Sequence, residues 1–114
     1  MADLILVMGG AGTGKSTIAR RLAAELQACL LDSDELTEAL FPADRDSAAY
    51  LAMRPRLYRA LYRQAVSNLA LGRDVVIDAP HAGQLADPAW PGEGEALVRD
   101  AGARLQVVMC IADV

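Results

Sequence analysis

Near its start the chain has a block of consecutive apolar residues, Leu4 to Met8, halted by two glycines. A run this short, apolar at every position, is the pattern of a strand covered on both faces in a parallel sheet. From Ser16 to Leu26 the spacing changes to three and four. Ile18, Leu22 and Leu26 recur along one line with Ala19 and Ala23 beside it, which predicts an amphipathic helix. Cys29 to Leu31 reads as a second short strand ending at Asp32-Ser33-Asp34, and Glu35 to Leu40 as a short helix stopped at Phe41-Pro42.

Asp46 or Ser47 is placed to cap a further helix. Pro55 is expected to interrupt that stretch and to open a new helix at its first turn. In the segment from Arg56 to Leu71, Leu57, Leu61 and Ala65 form one apolar line, flanked by Tyr58, Tyr62, Val66 and Leu69, and Gly72 closes the helix. Asp74 to Asp78 holds Val75-Val76-Ile77, a third buried strand with a carboxylate at its C-terminal end. Ala79 to Gly92, rich in Pro and Gly, reads as a loop. Glu93 to Ala101 follows as a short helix and Arg104 to Ile111 as a fourth strand. Strands alternating with helices predict an α/β fold, a parallel sheet with helices on both faces. No repeat, linker or second domain is visible.

At 114 residues the chain is the size of one small domain, and with 54% apolar residues it has ample material for a core. Aromatics are few, so Leu, Val, Ile and Ala must fill most of it. A formal charge of −4 argues against an extended nucleic-acid-binding surface, though not against a local basic patch. Two cysteines, Cys29 and Cys110, lie inside apolar strands and read as buried thiols of a reducing compartment. With one histidine and no Cys-x-x-Cys, a zinc site is excluded. The first apolar run is too short to span a membrane and has no basic leader, so a soluble cytoplasmic protein is expected.

The chemistry begins where the first strand ends. Gly9-Gly10-Ala11-Gly12-Thr13-Gly14-Lys15-Ser16-Thr17 fits G-x-x-x-x-G-K-[ST], directly after a strand and directly before a helix. Glycines reach backbone angles closed to other residues, which lets successive N–H groups point inward at phosphate oxygens. The following helix adds the positive end of its dipole. Lys15 brings a cation to the β- and γ-phosphates, and the Ser16 hydroxyl is the expected Mg²⁺ ligand. A glycine-rich turn alone accounts for the glycines but not for Lys15, Ser16 and the strand–helix frame together. ATP with Mg²⁺ is the expected ligand.

Phosphoryl transfer also requires a carboxylate near the metal and one that accepts or orients the proton of an acceptor hydroxyl. Asp32 and Asp34 follow the second strand, and Asp78 ends the third, where ligands collect in open parallel sheets. Alternate spacing lets Asp32 and Asp34 point differently, one toward the metal and one toward the acceptor. Asp34 can also be read as the N-cap of the helix that follows it, and the two roles can coexist. Asp78, beside the turn at Pro80, can be read as a turn former.

Three segments together resemble P-loop kinases of the polynucleotide-kinase and zeta-toxin type. They are Gly9 to Thr17, Asp32-Ser33-Asp34 with its short helix, and Gly72-Arg73-Asp74-Val75-Val76-Ile77-Asp78-Ala79. This group is often described as AAA-family ATPases and is similar in build to chloramphenicol phosphotransferase and shikimate kinase. The resemblance covers most of the chain. It implies a three-layer P-loop NTPase fold with kinase-type strand order, in which the third strand lies beside the P-loop strand. It further implies that Asp34 activates the acceptor and that Asp32 or Asp78 assists Mg²⁺. Polynucleotide-kinase-like members often carry Arg three residues after the acidic position, where this chain has Thr37. The phosphotransferase-like pattern fits Asp34 to Pro42 somewhat better. The glycine cluster that shikimate kinases place after the third strand is replaced by Ala79-Pro80-His81-Ala82-Gly83. In such kinases an Arg-bearing lid and a fifth strand follow the fourth, and this chain stops at Asp113-Val114, so a truncated or degenerate kinase domain is expected.

Weaker features remain. Arg54, Arg56, Arg59 and Arg63 form a basic stretch, either a solvated helix face or an anion subsite. His81 is placed to face an acceptor or to be an incidental loop residue, and Trp90 to pack its loop onto the sheet. The leading expectation is transfer of the γ-phosphoryl of Mg-ATP to a hydroxyl of a small molecule or nucleotide. The alternatives are a nucleotide switch that phosphorylates nothing and a non-catalytic fragment. No Asn-Lys-x-Asp guanine signature is present.

Overall fold

The computed structural model describes residues 2–9, 14–41, 47–78, 96 and 98–111. Within them the chain runs β1 (Asp3–Met8), α1 (Lys15–Leu26), β2 (Cys29–Asp32), α2 (Ser33–Leu40), α3 (Ala48–Ala70), β3 (Val75–Asp78) and β4 (Arg104–Met109). All strand pairings are parallel and the order is β2-β3-β1-β4. The third strand thus lies between the second and the P-loop strand, as the resemblance implied. The expected loop from Ala79 to Gly92, with His81 and Trp90, lies outside the described residues. Of the helix expected over Glu93 to Ala101, residues 96 and 98–100 are described and are helical.

The two-residue alternation of β1 divides the core into two faces. Leu4, Leu6 and Met8 join Val75 and Ile77 beneath Tyr58, Leu61, Tyr62, Ala65 and Leu69 of α3. Ile5 and Val7 join Val76 beneath Ala19 and Ala23 of α1. Val75, Val76 and Ile77 have no exposed surface at all. Each such side chain contributes about 1.5–3 kcal/mol by leaving water, which explains the unbroken apolar run that announced this strand. Burial pushes the phenol of Tyr62 well above its ordinary value, and neighbouring Tyr58 adds to the rise.

Three details differ from the sequence reading. In α1 the residues against the sheet are Ala19 and Ala23, whereas Ile18 and Leu26 are exposed. The small residues let the helix lie close to the strands, with Leu22 packed partly buried at the margin of that contact. Pro55 neither interrupts α3 nor starts a helix; α3 continues through it for 23 residues. A proline there forfeits a single backbone hydrogen bond, to the carbonyl of Leu51 four residues back. Pro55 and Leu51 are both exposed, so water can take that carbonyl. Finally, β4 stops at Met109, two residues before the expected Ile111, and forms one edge of the sheet, with Leu105, Val107 and Met109 all exposed.

Helix ends follow their local chemistry. Ser47 caps α3, its Oγ accepting a hydrogen bond from the N–H of Tyr50 at 3.1 Å; Asp46, the other candidate, lies outside the described residues. Gly72, with φ 79°, closes α3 by donating to the carbonyl of Leu69 at 2.9 Å. At the N-terminal end of the sheet, Arg104 forks onto its register partner Asp3 through Nε–Oδ1 at 2.8 Å and Nη2–Oδ2 at 3.2 Å. The N–H of Asp3 donates in turn to Oδ1 of Asp74 at 2.8 Å. This ties the starts of β1, β3 and β4 together, opposite the end that carries the site.

Candidate functional site

The C-terminal ends of β1, β2 and β3 converge on one edge of the sheet. Register places Val7 and Asp32 on either side of Asp78. Directly beyond Met8, Gly9 takes φ 146°, and Gly14 takes φ 79° immediately before α1. Both values are in the region that disfavours any Cβ. Gly10, Ala11, Gly12 and Thr13 lie outside the described residues, so the cradle is seen from its two flanks.

Gly14 is the N-cap of α1 and has no side chain to cap it, and the first turn contains no acidic residue. The first-turn N–H groups and the positive end of the dipole are therefore not matched by a local carboxylate, the arrangement that suits an anion. Ser16 and Thr17 follow in this first turn, Ser16 partly buried and Thr17 exposed.

Lys15, the first residue of α1, is 8% exposed although it carries a full charge. Its Nζ lies 2.7 Å from Oδ1 of Asp78 and 3.8 Å from Oδ2 of Asp34. The two acids differ sharply in access: the side chain of Asp78 is 2% exposed and that of Asp34 is 48% exposed. The close approach of Nζ to Oδ1 is an ion pair without hydrogen-bond alignment. Oδ1 of Asp78 has no aligned donor among the described residues. Such an oxygen keeps acceptor capacity for a cation or a polar hydrogen.

Asp32 has a different task from its neighbours. Its Oδ1 accepts from the N–H of Asp34 at 2.9 Å and from that of Glu35 at 3.3 Å, capping α2. The cap is thus Asp32, not Asp34, and α2 begins at Ser33, two residues before the expected start. Asp34 falls in the first helical turn, where the dipole favours its negative charge. The capping bonds fix the backbone that carries Asp34 toward Lys15. They also occupy one of the two carboxylate oxygens with which Asp32 was expected to assist a metal.

Sequence reasoning named Lys15, Asp34 and Asp78 but not their mutual contact, which depends on the β1–β3 register. It missed Ser33 and Thr37, polar residues buried on the inner side of α2. Their spacing of four, beside the cap, was the available signal. An Arg20–Glu35 pair at 3.8 Å joins α1 to α2, but both side chains are largely exposed and such pairs contribute little. Arg56, Arg59 and Arg63 are exposed on α3, and Arg54 lies 5.7 Å from the centre of the Tyr58 ring.

A divalent cation fits these residues. Lys15, Asp34 and Asp78 sum to a charge of −1, and a triphosphate would deepen it. Among the described residues no group of three or more His, Cys, Asp or Glu could form an all-protein metal cage. Mg²⁺ is commonly held by one or two side-chain oxygens with phosphates and water completing its shell. Asp78, with its available oxygen, and Ser16 are suited to that role.

Two positive-φ glycines, Gly9 after a buried strand and Gly14 before a helix that starts with lysine, on a 2-3-1-4 parallel sheet, define a P-loop NTPase of the kinase type. Residues 4–114 match the model of the AAA domain family, and the chain belongs to that family. In structure it is similar to a protein of Chloroflexus aurantiacus assigned as a kinase, at 25% identity and a TM-score of 0.76, over 98% of this chain and 60% of that one. It is also similar to the APS kinase of Mycobacterium tuberculosis, at 24% identity and a TM-score of 0.69, over 96% of this chain and 75% of that one. Among curated proteins a shikimate kinase of Corynebacterium efficiens is 57% identical over 35 residues, covering 31% of this chain and 21% of the relative. The chain therefore spans three fifths of the Chloroflexus protein and matches about a fifth of the shikimate kinase. No helix among the described residues is long and apolar enough to cross a membrane.

Proposed function

We propose that this chain carries the nucleotide-binding and acceptor-activating part of an ATP-dependent phosphotransferase acting on a hydroxyl of a small molecule or nucleotide. The observation that carries the reading is the grouping of Lys15 with one accessible and one inaccessible carboxylate at the strand ends. A nucleotide-binding module that only switches has no need of a second, accessible carboxylate beside its lysine.

The difference in exposure supports a division of roles. Asp34, half-exposed and held in the first turn of α2, accepts or orients the proton of the acceptor hydroxyl. The acceptor oxygen forms a bond to the γ-phosphorus as the bond from that phosphorus to the β–γ bridging oxygen breaks, and ADP leaves. Gly9 to Thr17 cradle the phosphates through backbone N–H groups, with Gly10, Ala11, Gly12 and Thr13 completing the loop. Lys15 neutralises charge on the β- and γ-phosphates, where preorganised charge is most effective. Ser16 and Asp78 hold Mg²⁺, which when bound supplies neutralisation of the phosphate oxygens. Asp32 acts chiefly by holding Asp34 in place, with its second oxygen left to support the metal. A reducing cytoplasm suits the two free thiols, Cys29 and Cys110.

The test is transfer from γ-labelled ATP into a mixture of hydroxyl-bearing metabolites, using the longest form of the protein. Label appearing in an organic product, abolished by Asp34→Asn while ATP binding is kept, supports the reading. Label released only as inorganic phosphate, at the same rate in Asp34→Asn, contradicts it.

A further inference from the structure

We infer that the Lys15–Asp78 pair is an interlock that makes triphosphate binding and divalent-cation binding depend on each other. The inference rests on the reading of this site as a Mg-ATP cradle and adds how its two ligands are coupled.

One ammonium serves two negative claimants. Lys15 Nζ lies 2.7 Å from Asp78 Oδ1, and both side chains are nearly excluded from water, at 9% and 2% exposure. A phosphate that draws Nζ away leaves behind an inaccessible carboxylate whose Oδ1 has no aligned donor among the described residues. That carboxylate lies in a site nearly closed to water while the pair is made, and an uncompensated buried charge is strongly unfavourable. A cation on Asp78 removes that penalty. The converse also holds: a cation that arrives without phosphate must displace the ammonium and leave Lys15 buried without its main counter-charge. Each ligand alone therefore meets resistance that the other relieves, and linkage requires the two effects to be equal in size. Asp34, 3.8 Å from Nζ and half-exposed, is well solvated and gives Lys15 only a weaker alternative partner.

Calorimetry of ATP with Mg²⁺ or with EDTA, on the wild type, Asp78→Asn and Asp34→Asn, tests this. Wild type should bind ATP at least about tenfold more tightly with Mg²⁺. Asp78→Asn should bind metal-free ATP about fivefold or more tightly than wild type and lose most of the Mg²⁺ increment. Asp34→Asn removes an equal charge from the same ammonium and should keep that increment. A second arm does not depend on the fold surviving Asp78→Asn. Lys15→Met should bind Mn²⁺, followed by EPR without nucleotide, about tenfold more tightly than wild type. If wild type binds ATP but Asp78→Asn keeps the full increment, or Lys15→Met gains no Mn²⁺ affinity, the interlock is overturned and the cradle stands. If wild type binds no ATP under either condition, the cradle reading falls and the interlock with it.

Discussion

Asp32 and Asp78 are register partners on adjacent parallel strands, β2 and β3, two carboxylates side by side at the same edge of the sheet. Like charges so placed repel, and the fold answers each by a different device. Asp32 is matched by the N-terminal amides of α2 and Asp78 by the ammonium of Lys15. One carboxylate is thereby committed to holding a helix, and the other is available for exchange between ligands.

The cap on α2 is separable from charge. Asp32→Ala should lower stability by about 1 kcal/mol, whereas Asp32→Asn, which keeps an accepting oxygen, should stay within about 0.5 kcal/mol of wild type. Urea denaturation measures both. Equal losses would show that the carboxylate charge, not the capping bonds, sets the stability.

Lys15 and Asp78 should be strongly non-additive. Removing either partner leaves a buried charge, so Lys15→Met and Asp78→Ala each should cost about 3–5 kcal/mol. The double variant removes both charges and should be more stable than the sum of the two losses implies. A double-mutant cycle with an interaction energy near zero would contradict the buried pair.

Gly14 and Gly72 share φ 79°, and an added Cβ would meet no atom within 4 Å at either place. The cost of Gly→Ala is therefore conformational, about 1–2 kcal/mol at each. The two should be alike in thermal denaturation and unlike in binding: Gly14→Ala should weaken ATP, and Gly72→Ala, at the far end of α3, should not.

Tyr62 sets the alkaline limb of stability. Burial favours the neutral phenol in the fold, so its contribution is complete below the unfolded value of about 10 and falls as pH rises beyond it. Each unit above about pH 10 should cost up to about 1.4 kcal/mol through this one group. Tyr62→Phe should flatten that limb relative to wild type. Identical slopes in both proteins would rule out the buried phenol as the cause.

The strands and the flanks of the cradle were legible because they rest on local pattern: an unbroken apolar run, a glycine at a turn, lysine at a helix start; the place of β3 beside β1 came from the resemblance instead. What escaped notice depends on packing between elements. Ile18 and Leu26 marked α1 as amphipathic, yet Ala19 and Ala23 form its contact, because close approach to a sheet selects for small residues. Pro55 reads as a break by its own chemistry and is absorbed because the carbonyl it leaves unpaired lies on an exposed side of α3. Of the three aspartates, no local signal separates the capping Asp32, the accessible Asp34 and the inaccessible Asp78. Register and helix onset divide them.

Whether Lys15 and the residues before it hold a triphosphate is decided by calorimetric titration of Mg-ATP into wild type and Lys15→Ala. Wild type should bind one ATP per chain saturably, and the variant should bind it about 100-fold or more weakly, through the loss of a charge-assisted contact at the site. Equal affinities in the two proteins, or no binding by wild type, would contradict triphosphate binding at Lys15.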